Sequence, residues 1–351
     1  MYKKYYSHYI NANRHIQNYA GPAHSFLPDI TRDATLEYWD DSAKFIGDKW
    51  KNLLQFKIPK TQKLIAEILN LSQFERIDFA PKTCDFYTRL LNSFDSNDTI
   101  SILTTDSESY SFDNQIPCSH EDNRLNIDKI STQPFDDFEE KIIEKINKNH
   151  YQIIFFSHVF FNSGMIVKNL KKIIECVKDE NTIIIIEGTH GFMTIPIDLA
   201  EIEKRVLYVV QANNGCSFMS NSQCSSEESF LQKMDSSSLY QLEAVLDLFK
   251  KDGLTASKIH GHIKKLQNNF RDHLLKIDHP FLTEKNILSV DYNYHGNFLT
   301  FAMPSPEHAK NLYNELKENN IWTDYHGSRL RFGFGIYQND CIDLRALVKP
   351  F

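Results

Sequence analysis

The chain has 351 residues, of which 41% are hydrophobic and 24% charged, and its formal net charge is −7. This composition is typical of a folded globular protein and excludes a disordered or collagen-like chain. The negative charge disfavours a dedicated nucleic-acid binder, and no apolar run approaches the roughly 20 residues that span a bilayer. We therefore expect neither a nucleic-acid nor a membrane partner.

The N-terminus and the cysteines both bear on the compartment. The first residues, MYKKYYSHYINANRH, lack the apolar core of a secretory signal. Six cysteines occur without a CxxC pair, which is typical of reduced thiols and not of a disulfide framework or a zinc ribbon. These patterns predict a cytoplasmic protein.

The N-terminal part of the chain predicts an arm followed by helices. Residues 1–35 are rich in Tyr, His and Asn and indicate an irregular arm. Asp33 is a candidate N-cap for the helix that follows it. Apolar residues at helical spacing then predict helices at 34–52, 60–71 and 84–94.

Strands and helices alternate as far as residue 210. Apolar runs predict buried strands at 76–80, 99–104, 152–157, 182–186 and 206–210. Helical patterns fall between them at 135–147 and 167–178. This alternation predicts a large α/β domain over residues 36–250, with a largely parallel sheet flanked by helices.

The pattern changes after residue 225. Amphipathic helices are predicted at 239–250, 257–277 and 308–319, and short strands at 298–301 and 329–334. These elements predict a smaller α+β C-terminal domain over residues 251–351.

Three predicted strands end in polar residues, where parallel sheets bind their ligands. Thr83 stands just before a helix, where it could help to bind an anion such as phosphate or serve as an ordinary N-cap. A polar loop at 157–164 follows the second strand. At the third, Glu187 precedes His190 by three residues. That pair could be a structural hydrogen bond, half of a metal site or a clamp on a cofactor nitrogen, and the residue types leave all three open.

Eight segments of the chain form a joint pattern. They are AHSFLPDITRDA, WDDSAKF with DKW, FAPKTCDFYTRLLNSF, LTTDSESYSF, FFSHVFFNSG, IEGTHGFMTIPIDL, SSSLYQLEAV and RLRFGFGIYQND. Together they resemble the kynureninase-like branch of the class V aminotransferases, which are fold-type I enzymes that use pyridoxal phosphate (PLP). The resemblance runs from about residue 15 to the C-terminus.

The resemblance implies cofactor-binding roles for four residues. Thr83 and the amide of Cys84 match the contact to the PLP phosphate. Glu187 matches the acidic residue, usually Asp in the family, that pairs with the pyridine nitrogen. His190 matches a polar residue beside the cofactor ring.

The resemblance also implies a substrate site and a partner. Arg331 matches an arginine that grips the substrate α-carboxylate, a task that suits the bidentate guanidinium group. Asn162, in the polar loop, is a second candidate for substrate binding. The implied ligand is a small amino acid or amine, and the implied assembly is a homodimer.

Several positions depart from the family pattern. The family places its Schiff-base lysine just after the strand at 206–210, but the lysine turn is missing from 211–219 and no lysine occurs between Lys204 and Lys233. A longer segment that would follow Met219 is also missing, leaving 220–229. Four single positions differ as well: Ser109 for an aromatic residue, Lys82 for Asn, Cys84 for His and His326 for Arg.

These departures predict a degenerate family member that has lost lysine-dependent PLP catalysis, because the lysine both exchanges with the substrate amine and moves the α-proton. Such a protein would bind a small amino-acid-like metabolite or act as a partner or regulator of an enzyme. PLP or pyridoxamine phosphate (PMP), if bound, would be held non-covalently.

Two alternatives remain open from the sequence. One is an active enzyme on an amino acid or amine that uses PLP or PMP without a lysine link, with His190 as the base or with Lys82 as a relocated amine. The other is a metal enzyme with Glu187, His190 and His158 as ligands. Since no HExxH or similar motif is present, we expect no resident metal.

Overall fold

The structure of the protein is a computed structural model that describes residues 2–21, 25–95, 97–108, 124–213, 215–221, 235–277, 279–288 and 291–338. Some positions named in the sequence analysis lie outside these residues: Ser109, the adjacent stretch 110–112, the segment 222–229, and the cysteines Cys118, Cys224 and Cys341. The described cysteines, Cys84, Cys176 and Cys216, are free thiols.

The strands are, in chain order, β1 (Gln17–Asn18), β2 (Asp78–Ala80), β3 (Ile100–Thr105), β4 (Leu125–Ile130), β5 (Ile153–Ser157), β6 (Ile183–Glu187), β7 (Val206–Asn213), β8 (Cys216–Met219), β9 (Phe298–Ala302), β10 (Ile321–Trp322), β11 (Asp324–His326) and β12 (Arg329–Gly333). A seven-stranded sheet has the order β2-β8-β7-β6-β5-β3-β4. Strands β7, β6, β5, β3 and β4 run parallel, whereas β8 is antiparallel to β7 and β2. The predicted α/β fold with a largely parallel sheet is confirmed.

The helices are α1 (Ser7–Ala12), α2 (Ile30–Phe45), α3 (Lys49–Asn52), α4 (Ile58–Leu69), α5 (Thr83–Asn92), α6 (Phe138–Lys148), α7 (Leu170–Glu175), α8 (Ser236–Lys251), α9 (Ala256–Leu274) and α10 (Pro306–Glu318). A π-helical turn spans Leu53–Lys57, and 3₁₀ turns span Tyr2–Tyr6, Ile46–Asp48, Phe74–Arg76, Phe135–Asp137, Glu284–Asn286 and Tyr292–Tyr294. Within the described residues, no helix has both the length and the apolar character needed to cross a bilayer.

The central sheet is buried on both faces, which explains its continuous apolar runs. Alternate residues of β5 point into two separate cores. Ile154 and Phe156 pack in the core that includes side chains of α4, α6 and α8. Ile153 and Phe155 pack in the core formed with α5. The strand ends between these two helical layers are where polar side chains collect.

The C-terminal part of the chain has its own core. Strands β11, β12 and β9 form an antiparallel sheet in that order, covered by apolar side chains of α9 and α10. The N-terminal segment joins this core, because Tyr6 and Tyr19 are buried in it and β1 pairs in parallel with β10. The domain limits at 35 and 250 remain a prediction.

Two N-terminal predictions were wrong. The arm is not wholly irregular, since the 3₁₀ turn at Tyr2–Tyr6 and helix α1 occupy it. Asp33 is not an N-cap, because α2 starts at Ile30 and places Asp33 in its first turn. That helix also ends at Phe45, where Ile46 takes a positive φ of 48°, a conformation that a β-branched residue rarely adopts.

Candidate functional site

Polar side chains meet where β3, β5 and β6 reach their carboxyl ends. Ser157 ends β5 and is the register partner of Glu187, which ends β6. Glu108 follows β3 by three residues and reaches the same place through its bonds to Ser157. All three residues are buried. Of the candidate site residues predicted from the sequence, Glu187 lies at these strand ends.

Glu187 is a buried carboxylate with few donors. Its Oε1 atom accepts a hydrogen bond of 3.0 Å from the backbone N–H of Thr189. Burial raises the pKa of Glu187 to about 7, because a low-dielectric environment disfavours the charged form. Next to it, Gly188 leaves room for the ring of Tyr208, since a Cβ at Gly188 would lie 2.1 Å from a Tyr208 ring carbon.

Glu108 is a second buried carboxylate that the sequence analysis missed. Its Oε1 atom accepts from the Thr105 hydroxyl at 2.6 Å and from the Ser157 N–H at 3.2 Å, and Oε2 accepts from the Ser157 hydroxyl at 2.5 Å. Burial raises the pKa of Glu108 to about 7, and the charge of Glu187 adds to the rise. The signal was present in the segment LTTDSESYSF, where an acidic residue follows a buried strand.

The start of α5 is a candidate phosphate site. Thr83 is its first residue and is buried, while Cys84 is half-buried. The ordinary N-cap alternative for Thr83 is wrong, since Lys82 occupies the N-cap position and Asp85 Oδ2 accepts from its N–H at 3.0 Å. Ala80 lies three residues before Thr83, and it is the register partner of Ser217 in the pairing of β2 with β8.

The buried Ser217 hydroxyl has no hydrogen-bond partner among the described residues. A buried polar atom without a partner costs free energy unless a ligand or water satisfies it. The Thr83 hydroxyl, the N–H groups at the start of α5 and the Ser217 hydroxyl are donors of the kind that bind a phosphate. With Glu187 to pair with a ring nitrogen, these residues fit the two polar ends of PLP.

Two histidines lie near the site, and burial lowers the pKa of both. His158 is buried, its Nδ1 atom lies 3.0 Å from the Tyr208 hydroxyl, and burial lowers its pKa to about 4. His190 is half-buried, with its ring centroid 5.8 Å from that of Phe161 and 5.3 Å from that of Phe298. Burial and the charge of Arg331 lower the pKa of His190 to about 3. The role of His190 as a base stays a prediction.

Arg331 is buried beside His190 and already has a carboxylate partner. Its Nη2 atom donates to Asp324, and its Nη1 atom donates to the Phe161 carbonyl at 2.8 Å. The ring of Phe161 stacks 4.2 Å from the guanidinium carbon. His326 is exposed, with its ring 5.7 Å from that of Phe161.

Asn162 lies in the loop after β5, as predicted, but its amide serves other residues of the chain. Its Nδ2 atom donates to the Ser107 hydroxyl at 2.7 Å, and its backbone carbonyl oxygen accepts from Arg329 at 3.3 Å. The side-chain Oδ1 atom is buried without a partner in the described part of the chain. Asn162 therefore retains one acceptor that a ligand donor could satisfy.

The metal alternative is not supported by the geometry. Among the residues that the structure describes, no three His, Cys, Asp or Glu side chains converge as a metal-binding group. His158 is bonded to Tyr208, and His190 is packed between two phenylalanines. Glu187, His190 and His158 thus share a region of the fold without forming a ligand set.

Comparison with known proteins supports one family and one fold. The sequence profile of the class-V aminotransferases matches residues 20–209, whereas no curated protein sequence matches the chain. The apo structure of cysteine desulfurase from Thermococcus onnurineus NA1 aligns at 15% identity with a TM-score of 0.68, covering 93% of this chain and 91% of that one.

Two further solved structures give the same result. A mutant of C-DES with glycine covalently linked to the PLP cofactor aligns with a TM-score of 0.75 at 13% identity, covering 95% of each chain. The cysteine desulfurase CsdA (S-sulfonic acid) from Escherichia coli aligns with a TM-score of 0.69 at 12% identity, covering 94% of each chain. At these identities the likeness shows the fold, which is that of the fold-type I PLP enzymes.

Proposed function

The chain belongs to the class-V aminotransferase family, and we propose that it has lost lysine-dependent PLP catalysis and serves as a binding protein for a small amine or amino-acid-like molecule. Membership supplies the scaffold. It does not by itself assign an activity, because folds of this kind carry many functions.

The observation that carries the proposal is the direct pairing of Asn213, at the end of β7, with Cys216, at the start of β8. Only residues 214 and 215 connect the two strands. The family resemblance places the Schiff-base lysine after this strand, and no lysine occurs between Lys204 and Lys233. A connection this short and without lysine supplies no amine for the covalent chemistry.

PLP remains a plausible ligand of this site. Thr83, the N–H groups of α5 and Ser217 would hold its phosphate, and Glu187 would face its ring nitrogen. When bound, PLP supplies an electron sink for reactions of amino acids. This chain's own residues would bind and orient the cofactor, while neither neutral histidine offers a base of suitable pKa.

An active enzyme with a relocated amine is the second candidate. Lys82 is exposed and adjoins the start of α5, so it is close in sequence to the proposed phosphate site. It could instead be a solvated lysine that pairs with the phosphate. Borohydride reduction, followed by mass mapping of any pyridoxyl-modified lysine, separates these two roles.

The proposal is tested by binding and turnover in the same sample. The purified protein is incubated with PLP and a panel of amino acids and amines, including cysteine and kynurenine. We expect PLP to raise the Tm, dialysis to reverse this rise, and no amino acid to be consumed. Consumption of any amino acid that depends on Glu187 would overturn the proposal.

A homodimer is part of the proposal. Four large apolar side chains on α2 and the segment after it are exposed: Leu36, Trp39, Ile46 and Phe56. Leu36 and Trp39 are three residues apart on α2 and so share one face of the helix. Apolar side chains grouped in this way often mark a protein–protein interface.

A further inference from the structure

Arg331 and Asp324 form a cross-strand pair in the C-terminal sheet. They are register partners in the antiparallel pairing of β11 with β12, and the Nη2 atom of Arg331 donates to Asp324 Oδ2. The Arg331 side chain is 3% exposed and that of Asp324 is 18% exposed. The hairpin therefore holds a carboxylate against a buried guanidinium.

The rest of the guanidinium is enclosed by the loop after β5. Nη1 donates to the Phe161 carbonyl, and the guanidinium carbon lies 4.2 Å from the Phe161 ring and 5.6 Å from the Phe298 ring. The same two rings contact His190. Arg331 thus faces the candidate site, but its charge is already paired within the chain.

We propose that Asp324 occupies Arg331 in place of a ligand carboxylate, so that the site takes amines without a carboxylate at this position and Asp324 determines that specificity. This inference deepens the proposed function, on which it rests for the location of the ligand site. It reassigns Arg331 from a direct substrate contact to a guanidinium whose charge is paired by Asp324, with only the buried Nε atom left without a partner among the described residues.

Two physical effects favour the internal carboxylate over a free one. Asp324 is tethered to Arg331 by two adjacent strands, so it competes at a high effective concentration, whereas a free ligand must also lose its translational freedom. A second carboxylate at the same guanidinium would in addition lie close to the charge of Asp324, and like charges in a buried site repel strongly. An α-amino acid would bind only by displacing Asp324.

The test removes the internal carboxylate and offers an external one. In Asp324→Ala the buried guanidinium loses its partner, so we expect a lower Tm that added acetate restores. At about 100 times its dissociation constant, acetate should raise the Tm by roughly 3 °C. Chloride at the same ionic strength should not raise the Tm of the variant, and acetate should not raise the Tm of the wild-type protein. Asp128→Ala is the matched control, since Asp128 pairs with Lys145 at the surface.

Two further variants keep the result interpretable. Asp324→Asn preserves the shape of the side chain and removes its charge, so it replaces Asp324→Ala in the test if that variant does not fold. We expect Asp324→Asn to gain acetate binding as well. In the double variant Asp324→Ala/Arg331→Met the acetate response should disappear.

The proposal is overturned if folded Asp324→Ala and Asp324→Asn ignore acetate, or if the wild-type protein binds amino acids through Arg331. These measurements use no PLP. The discovery of a relocated catalytic lysine would therefore contradict the proposed function but would not change the response of these variants to acetate.

Discussion

Ser157 donates to Glu108 twice, through its backbone N–H and through its hydroxyl. On the neighbouring strand, the register partner of Ser157 is Glu187. One serine therefore stands between two buried carboxylates, and burial together with their mutual repulsion raises the pKa of Glu108 to about 7. The pair makes the centre of the candidate site sensitive to pH.

Glu108→Gln should change how stability depends on pH. In the folded protein the pKa of Glu108 lies near 7, above its unfolded value of 4.5, so the folded state binds the proton more tightly. The stability that this proton contributes is present below pH 4.5 and is lost as pH rises to about 7. Relative to wild type, the variant should therefore gain up to about 3 kcal/mol between pH 4.5 and pH 7.

Urea unfolding at several pH values measures this difference. Glu75→Gln, at an exposed position, is the control and should track wild type. A Glu108→Gln curve parallel to wild type would show that Glu108 is not protonated preferentially on folding. The histidines act in the opposite sense, since the depressed pKa values of His158 and His190 remove stability as pH falls below 6.5.

Gly188→Ala should destabilise the protein, because the new Cβ would lie 2.1 Å from the ring of Tyr208. Overpacking of this kind costs about 1–3 kcal/mol or more. Gly261→Ala is the matched control: it lies within α9 and a Cβ there meets nothing within 4 Å, so it should stabilise by about 0.5–1 kcal/mol. Equal effects of the two substitutions on thermal unfolding would contradict the packing described here.

The sequence pattern predicts the central strands of the large sheet, but it does not predict the strands β4 and β8 nearer its edges. The run of isoleucines predicted a strand at 182–186, and β6 occupies Ile183–Glu187. By contrast, β4 (Leu125–Ile130) is a half-exposed edge strand with the polar residues Asn126, Asp128 and Lys129, so no apolar run marks it. Strand β8 (Cys216–Met219) was not predicted, because this segment was interpreted as the flank of a missing lysine turn.

The positions of Thr83 and Glu187 relative to the strands follow from the sequence, whereas the internal contacts of the candidate site do not. Thr83 and Glu187 lie at strand ends, as a parallel sheet requires. The pairing of Arg331 with Asp324 depends on strand register, and the contacts of Glu108 with Ser157 depend on the loop after β3. Arg331 and Asp324 are seven residues apart in one hairpin, and Glu108 and Ser157 are 49 residues apart. Neither contact is marked by a sequence motif.

Thr83→Ala should weaken binding of both PLP and inorganic phosphate. The hydroxyl of Thr83 is expected to donate to a phosphate oxygen, and a hydrogen bond to a charged group of this kind corresponds to roughly a tenfold change in affinity. Titration calorimetry with each ligand measures the loss. Ser93→Ala, at the other end of the same helix, should bind both ligands as wild type does; unchanged affinity in Thr83→Ala would place the phosphate elsewhere.

Trp39→Lys should shift a dimer toward monomer. Trp39 is 69% exposed on α2, and a charge at the centre of an apolar interface opposes association. Light scattering after size exclusion gives the mass directly. Trp322→Lys, at another exposed tryptophan, should leave the mass unchanged, and a wild-type protein that is monomeric at high concentration would rule out the homodimer.

The most direct test of the loss of lysine chemistry is the intact mass of the protein after incubation with one equivalent of PLP and reduction with borohydride. Our account predicts that PLP is held and then released on denaturation, with no mass added to the chain. A stoichiometric pyridoxyl group mapped to a single lysine would contradict it. If that lysine were Lys82 and the adduct vanished in Lys82→Arg, the catalytic amine would have moved to the start of α5.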